Sequence, residues 1–175
     1  WFDTGEVSLA GIEIGGSIAV NGACLTAVQL EPHAFAADVS RETLSLTTAG
    51  DWTPATRINL ETALTAGQAL GGHYVTGHVD GVGTVVSRHD DARSVRIEFE
   101  VPAELARYVA RKGSICIDGV SLTVNGVDGR RFDVNLVPHT LEMTILGDYR
   151  PGTRVNLEVD IIARYLERLV AEGRS

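Results

Sequence analysis

Residues 16–61 reappear without a gap at residues 113–158, a constant offset of 97. Gly16-Ser17-Ile18-Ala19-Val20-Asn21-Gly22-Ala23-Cys24-Leu25-Thr26 answers Gly113-Ser114-Ile115-Cys116-Ile117-Asp118-Gly119-Val120-Ser121-Leu122-Thr123. Further on, Gly50-Asp51-Trp52 through Asn59-Leu60-Glu61 answers Gly147-Asp148-Tyr149 through Asn156-Leu157-Glu158. Of the 46 pairs, 18 are identical. Only two copies fit in 175 residues, which excludes a long solenoid and leaves two similar units in tandem. Each is long enough to bury a core of its own. Where the duplicates differ in reactive residues, they divide labour.

Short apolar runs bounded by Gly, Asn, Asp and Pro recur about every ten residues, as in an all-β barrel or sandwich. Strands are predicted at Ser17–Val20, Cys24–Leu30, Ala34–Val39, Arg57–Glu61, Gly83–Arg88, Val95–Val101, Ser114–Ile117, Ser121–Val127, Phe132–Leu136 and Arg154–Glu158. Asn21-Gly22 and Asp118-Gly119, at one repeat position, and Asp128-Gly129 favour tight reversals with positive φ. A helix is predicted from Pro102 to Gly113, with a weaker match around Ser8–Ile14. A terminal helix, Ile161–Ala171, carries Ile161, Ile162, Tyr165, Leu166, Leu169 and Val170 on one broad stripe. That stripe must bury itself on a barrel or on another subunit, and a subunit contact is favoured. The glycine-rich stretch from Leu64 to Gly81 reads as the junction between units. Counting 97 back from the strand that follows it places a counterpart before Trp1, so a further strand is expected upstream of this numbering.

Composition narrows the function classes. A formal charge of -8 and a pI near 5.0 leave no basic surface for tracking phosphates, so nucleic acid is excluded as a partner. No apolar run approaches the ~20 residues of a membrane-spanning helix, and no signal peptide is visible. Cys24 and Cys116 stand at non-equivalent repeat positions. A disulfide between them stays open, with a reduced, cytoplasmic protein favoured.

Four segments carry a resemblance. Asn21-Gly22-Ala23-Cys24-Leu25-Thr26, Ser40-Arg41-Glu42-Thr43-Leu44, Gly71-Gly72-His73-Tyr74-Val75-Thr76-Gly77-His78-Val79-Asp80-Gly81 and Asp118-Gly119-Val120-Ser121-Leu122-Thr123 resemble the riboflavin synthases of the lumazine-binding family. The match covers essentially the whole chain, although the family's opening Met-Phe-Thr-Gly is absent from this numbering. The resemblance implies a mainly β fold of two homologous six-stranded Greek-key barrels, at residues 1–73 and 74–159. It also implies a C-terminal helix, residues 160–175, that builds a homotrimer. The implied activity is a cofactor-free transfer of a four-carbon unit between two molecules of 6,7-dimethyl-8-ribityllumazine. Its products are riboflavin and 5-amino-6-(D-ribitylamino)uracil. Catalysis would occur where the first barrel of one subunit faces the second barrel of its neighbour, with lumazine synthase a potential partner.

The reaction needs a base for a proton on the methyl at C7, a nucleophile or activated water at the other molecule's C7, and donors for developing charge. Cys24 and Ser121 share one repeat position, yet one is a thiol and the other a hydroxyl. A free cysteine is most often a small buried hydrophobe; the resemblance turns Cys24 into a polar contact. Thr26 and Thr123 lie two residues on, hence on the same strand face, with a β-branched filler as the competing reading. His78 suits proton handling near neutral pH, whereas His73 is read as a structural histidine beside a glycine turn. Five residues apart, these two point to opposite faces of an extended chain, and no further ligand lies at metal spacing, so no metal is expected. Asp160, just before the terminal helix, is an N-cap, and the resemblance adds a catalytic carboxylate at that point.

The implied catalytic set is therefore Cys24, His78, Ser121, Thr123 and Asp160. For substrate binding the resemblance implies Cys24, Leu25 and Thr26 on the ring, with Asp38, Val39, Ser40, Arg41, Glu42 and Thr43 on its edge and the ribityl chain. Gly77, His78 and Val79 would close the pocket at the junction. The second barrel would contribute Lys112, Ser121, Leu122 and Thr123, then Leu136, Val137, Pro138, His139, Thr140 and Leu141. The rival within the family is a non-catalytic lumazine- or flavin-binding antenna protein, but such relatives usually let one repeat decay. A flavin reductase barrel would need a nucleotide partner, and no Gly-x-Gly-x-x-Gly turn follows a strand. A purely structural tandem barrel leaves the differing paired positions unexplained.

Overall fold

Alternating apolar and polar residues between Gly, Asn and Asp turns fold as two related sets of antiparallel strands. The computed structural model describes residues 1–172. The first copy supplies β1 (Phe2–Asp3), β2 (Ser17–Val20), β3 (Ala23–Glu31), β4 (Ala34–Ala37), the short helix α1 (Arg41–Leu46) and β5 (Leu60–Thr62). The second supplies β6 (Gly81–Asp91), β7 (Ser94–Glu100), β8 (Ser114–Ile117), β9 (Val120–Asp128), β10 (Arg131–Leu136), α2 (Pro138–Met143) and β11 (Arg154–Val159). The helix α3 (Ile161–Glu172) follows.

The second copy closes into a barrel in the order β10-β7-β6-β11-β8-β9. Along β7, Val95, Ile97 and Phe99 point inward and are buried, while Arg96, Glu98 and Glu100 stay half-buried on the outer side. Burial of each such large apolar side chain is worth about 2 kcal/mol. The first copy holds the same elements in the order β1-β4-β3-β2-β5 and remains open between β1 and β5. In the barrel, β6 fills that place, between the mates of β1 and β5. The expectation of six strands in each copy therefore holds for the second only. In the first, five strands are found among the described residues.

The duplication reaches further in space than in sequence. Phe2 stacks on Phe35 at 5.0 Å and meets Trp52 edge-on at 6.1 Å. Their mates Phe99, Phe132 and Tyr149 repeat the cluster at 5.3 Å and 6.4 Å. All three predicted reversals form, with Asn21 and Gly22 at φ 44° and 74°, and Asp118 and Gly119 at 45° and 84°; at Asp128-Gly129 only the glycine takes a positive φ, 58°.

The helix expected between Pro102 and Gly113 shrinks to a 3-10 turn at Ala106–Tyr108. Leu105 N–H bonds to the Pro102 carbonyl and Tyr108 N–H to that of Leu105, both three residues back at 3.0 Å. So short a helix is marginal unless packing supports it, and here the packing prefers tight turns that press Leu105 and Val109 into the barrel mouth. Ser8–Ile14 also forms turns, with no helix among them. Conversely, α1 and α2 were not expected from periodicity. Ser40 Oγ caps α1 by accepting the Thr43 N–H at 3.0 Å, and Pro138 opens α2.

α3 lies against the barrel by its polar side. Arg107 and Tyr108 bond to Glu167, Arg164 pairs with Asp80, and the Arg164 guanidinium sits 5.2 Å over the Tyr108 ring. Ile162, Tyr165, Leu166 and Leu169 face away and are each at least 60% exposed. No helix among the described residues is long and apolar enough to cross a membrane.

Candidate active site

The two hairpin turns meet face to face. A Cβ on Gly22 would lie 2.7 Å from the Gly119 nitrogen, and one on Gly119 would lie 3.0 Å from that of Gly22, so neither position has room for a side chain. The bonds around them come in crossed pairs. Asn59 Nδ2 donates to the Asp118 carbonyl at 2.9 Å, and Asn156 Nδ2 to that of Asn21 at 2.8 Å. Thr48 N–H donates to Asn156 Oδ1 at 2.7 Å, and Ile145 N–H to Asn59 Oδ1 at 2.8 Å. Arg57 pairs with Asp148, and Arg154 with Asp51. Adding the repeat offset carries each partner onto its counterpart, which is the signature of an approximate twofold axis through the turns.

Equal repeat positions therefore flank that axis. Cys24 and Ser121 both open onto one cleft of about 1240 Å³, lined also by the junction segment 69–77. The segment touches both. Cys24 N–H donates to the Gly77 carbonyl at 2.8 Å, and a Cβ on Gly77 would lie 2.7 Å from that of Cys24. At the other end Gly72 lies so close that a Cβ there would stand 2.4 Å from Ser121 Oγ.

Between these contacts, His73 Nδ1 makes a 2.7 Å hydrogen bond with Ser121 Oγ. Its Nε2 is buried without a partner among the described residues. Burial lowers the imidazole pKa below its ordinary value, against the carboxylates of Asp160 and Glu158, which favour the protonated ring. A neutral imidazole on a hydroxyl is the arrangement of a general base with its proton donor.

The residues expected at the site separate into several groups. Cys24 and Thr26 point outward from β3, as Ser121 and Thr123 do from β9. Ala27 lies opposite Ala37 and Val124 opposite Val134, so each pair lies beside the chain entering its short helix. That chain exposes Asp38, Ser40, Arg41 and Glu42 in one copy and Val137, Pro138 and His139 in the other. Val39, Thr43, Thr140, Leu122 and Leu141 are half-buried. Leu25 and Leu136, at 5% and 1% exposure, point into the interior instead. Lys112 is exposed on a left-handed turn leading into β8, its N–H on the Val124 carbonyl at 2.8 Å.

Asp160 caps α3, with Oδ1 accepting the Ile162 N–H at 3.0 Å. Gly77 is buried and Val79 half-buried, while His78 is exposed with no hydrogen bond among the described residues. Both cysteines are free thiols; Cys116 is buried, and desolvation pushes its pKa upward. Sequence reasoning missed the placement of His73 beside Ser121, 48 residues away. It also passed over Glu158, whose identity with Glu61 in the other copy was the available signal.

The family model described as "Lumazine binding domain" matches twice, at residues 3–63 and 76–160. The chain is 50% identical to the riboflavin synthase of Mycobacterium tuberculosis over 160 residues, covering 89% of this chain and 80% of that protein. It is 44% identical to the riboflavin synthase of Photobacterium phosphoreum over 164 residues, 94% of this chain and 75% of the relative. Among solved structures, LumP complexed with riboflavin superposes with a TM-score of 0.78 at 27% identity, over 86% of this chain and 82% of that one. Through both of its repeats, the chain belongs to the lumazine-binding family.

Proposed function

We propose that this chain is a riboflavin synthase, a transferase that converts two molecules of 6,7-dimethyl-8-ribityllumazine into riboflavin and 5-amino-6-(D-ribitylamino)uracil. The observation that carries the reading is the chemical difference at one repeat position: an exposed thiol at Cys24, and at Ser121 a hydroxyl held by His73. Two copies of one substrate must take opposite roles, donor and acceptor of the four-carbon unit. Paired sites with unlike reactive groups suit that demand. Identity of up to 50% with curated riboflavin synthases supports it.

In this reading Cys24, His78, Ser121, Thr123 and Asp160 are the catalytic set, and His73 joins it through Ser121. Neutral His73 takes the hydroxyl proton as Ser121 draws a proton from the methyl at C7 or activates water. Cys24 and Thr26 face the second ring. Asp160 keeps one carboxylate oxygen on its helix and offers the other to the site. The segments 38–43 and 136–141 hold the ring edges and ribityl chains, with Lys112 and residues 77–79 at the margins. We also propose the division into units 1–73, 74–159 and 160–175, a homotrimer built through α3, a cytoplasmic location and lumazine synthase as a partner.

The resemblance to LumP favours one other reading, a non-catalytic antenna. Incubating the full chain with the lumazine and following flavin fluorescence separates the two. Riboflavin formation is expected, and tight lumazine binding without riboflavin would leave the antenna.

A further inference from the structure

We propose that Glu158 is a positioning residue for the Ser121–His73 pair, its carboxylate holding segment 72–77 as a strap braced between Cys24 and Ser121. The proposal rests on the functional reading above. Glu158 lies in β11 and is 4% exposed. Its Oε1 accepts the Thr76 N–H at 2.6 Å and the Thr76 hydroxyl at 2.7 Å, and its Oε2 accepts the Gly77 N–H at 3.0 Å. A buried carboxylate is costly unless its oxygens are bonded. Here three donors satisfy it, all from the strap, and it forms no ion pair among the described residues.

The clamp sits between the two reactive positions. On one side the gripped Gly77 passes its carbonyl to Cys24 N–H. On the other, His73 reaches Ser121 Oγ through Nδ1 and, at 3.4 Å, through its backbone N–H. Glu61, the repeat mate, faces Ala19 as Glu158 faces Cys116, so the fold sets an acid at the same strand position in both copies. In the second copy that position is met by the strap, whose Thr76 and Gly77 donors converge on Glu158. Without the clamp, nothing on β11 fixes how deeply the strap presses His73 against Ser121.

The test uses the full chain and the variants Glu158→Ala, Glu158→Gln and Glu158→Asp, each checked for an unchanged circular dichroism spectrum. Labelled imidazole resonances report the titration of His73 without any need for turnover. In Glu158→Ala and Glu158→Gln the same charge is lost, which by itself lowers the His73 midpoint. Only the Ala variant also frees the strap and lets water reach the ring, so its midpoint is expected to lie above that of the Gln variant. The kcat of Glu158→Ala for riboflavin should fall by roughly tenfold or more while KM changes less than about threefold. Glu158→Gln should lose less, and Glu158→Asp should recover part of kcat. A His73 midpoint in the Ala variant at or below that of the Gln variant, or a kcat of the Ala variant within about threefold of wild type, overturns the proposal. A wild-type chain that makes no riboflavin would instead refute the functional reading and leave the titration to decide on the strap.

Discussion

At the scale of the residue, the chemistry turns on a duplicated position that kept its place and lost its identity. Cys24 and Ser121 were legible from sequence because the repeat aligns them. His73 was not, since a histidine beside two glycines looks structural until the fold brings Ser121 to it. Its lowered pKa fixes the sign of a pH effect. The neutral ring persists as pH falls past ~6.5, so activity that needs it should survive there and be lost only at lower pH. A kcat/KM profile whose acid limb lies below that value, and disappears in His73→Asn, is the expected outcome. Cys24→Ser should reduce turnover while fold and assembly stay intact, as read by fluorescence assay and sedimentation; unchanged turnover removes the thiol from the mechanism. His78→Ala should cost about a hundredfold in kcat, in line with general acid–base effects. A loss below about threefold would leave His78, exposed as it is, without that role.

At the scale of the element, strands were easier to read than helices. Apolar runs between turn residues placed Ser17–Val20 and Ser114–Ile117 at their observed bounds and most other strands near theirs, whereas Arg57–Glu61 began three residues before β5 and the two-residue β1 went unread. The segment after Pro102 carried helix punctuation, but its apolar residues serve as a plug for the barrel mouth, and tertiary demand overrode local preference. The short helices α1 and α2 are too brief for periodicity to register; only Ser40 and Pro138 mark them. The terminal helix was legible in place but not in orientation. Its polar side engages Arg107, Tyr108 and Asp80, and so the apolar stripe turns outward. Burying that stripe between subunits should drive self-association. Leu166→Glu with Leu169→Glu is expected to convert a wild-type multimer to monomers in sedimentation, and a wild-type monomer would contradict a shared site.

At the scale of the whole molecule, the governing fact is the twofold relation of the copies. Sequence supplied the repeat but not the axis, because crossed pairs such as Arg57–Asp148 and Arg154–Asp51 become visible only when the turns meet. The symmetry is broken at its centre, where Asn21 faces Asp118. Both turn the same backbone bond, Asn21 Oδ1 accepting the Asn59 N–H at 2.6 Å and Asp118 Oδ1 the Asn156 N–H at 2.8 Å. Asp118 alone also accepts the Tyr149 hydroxyl. Burial raises its pKa from 3.8 to about 7. The folded chain then holds a proton that the unfolded chain releases between those values, so this group's contribution to stability falls as pH rises through that window. Asp118→Asn should abolish that slope and raise the melting temperature above pH 7, by the equivalent of a few kcal/mol; a parallel pH dependence in mutant and wild type would refute the assignment. The contact of Gly22 with Gly119 has its own outcome. Bare backbone meets bare backbone there, so the two halves come nearer than any pair of side chains would let them. A single methyl inserted at that seam would act as a wedge, prising apart two reactive positions that depend on being neighbours.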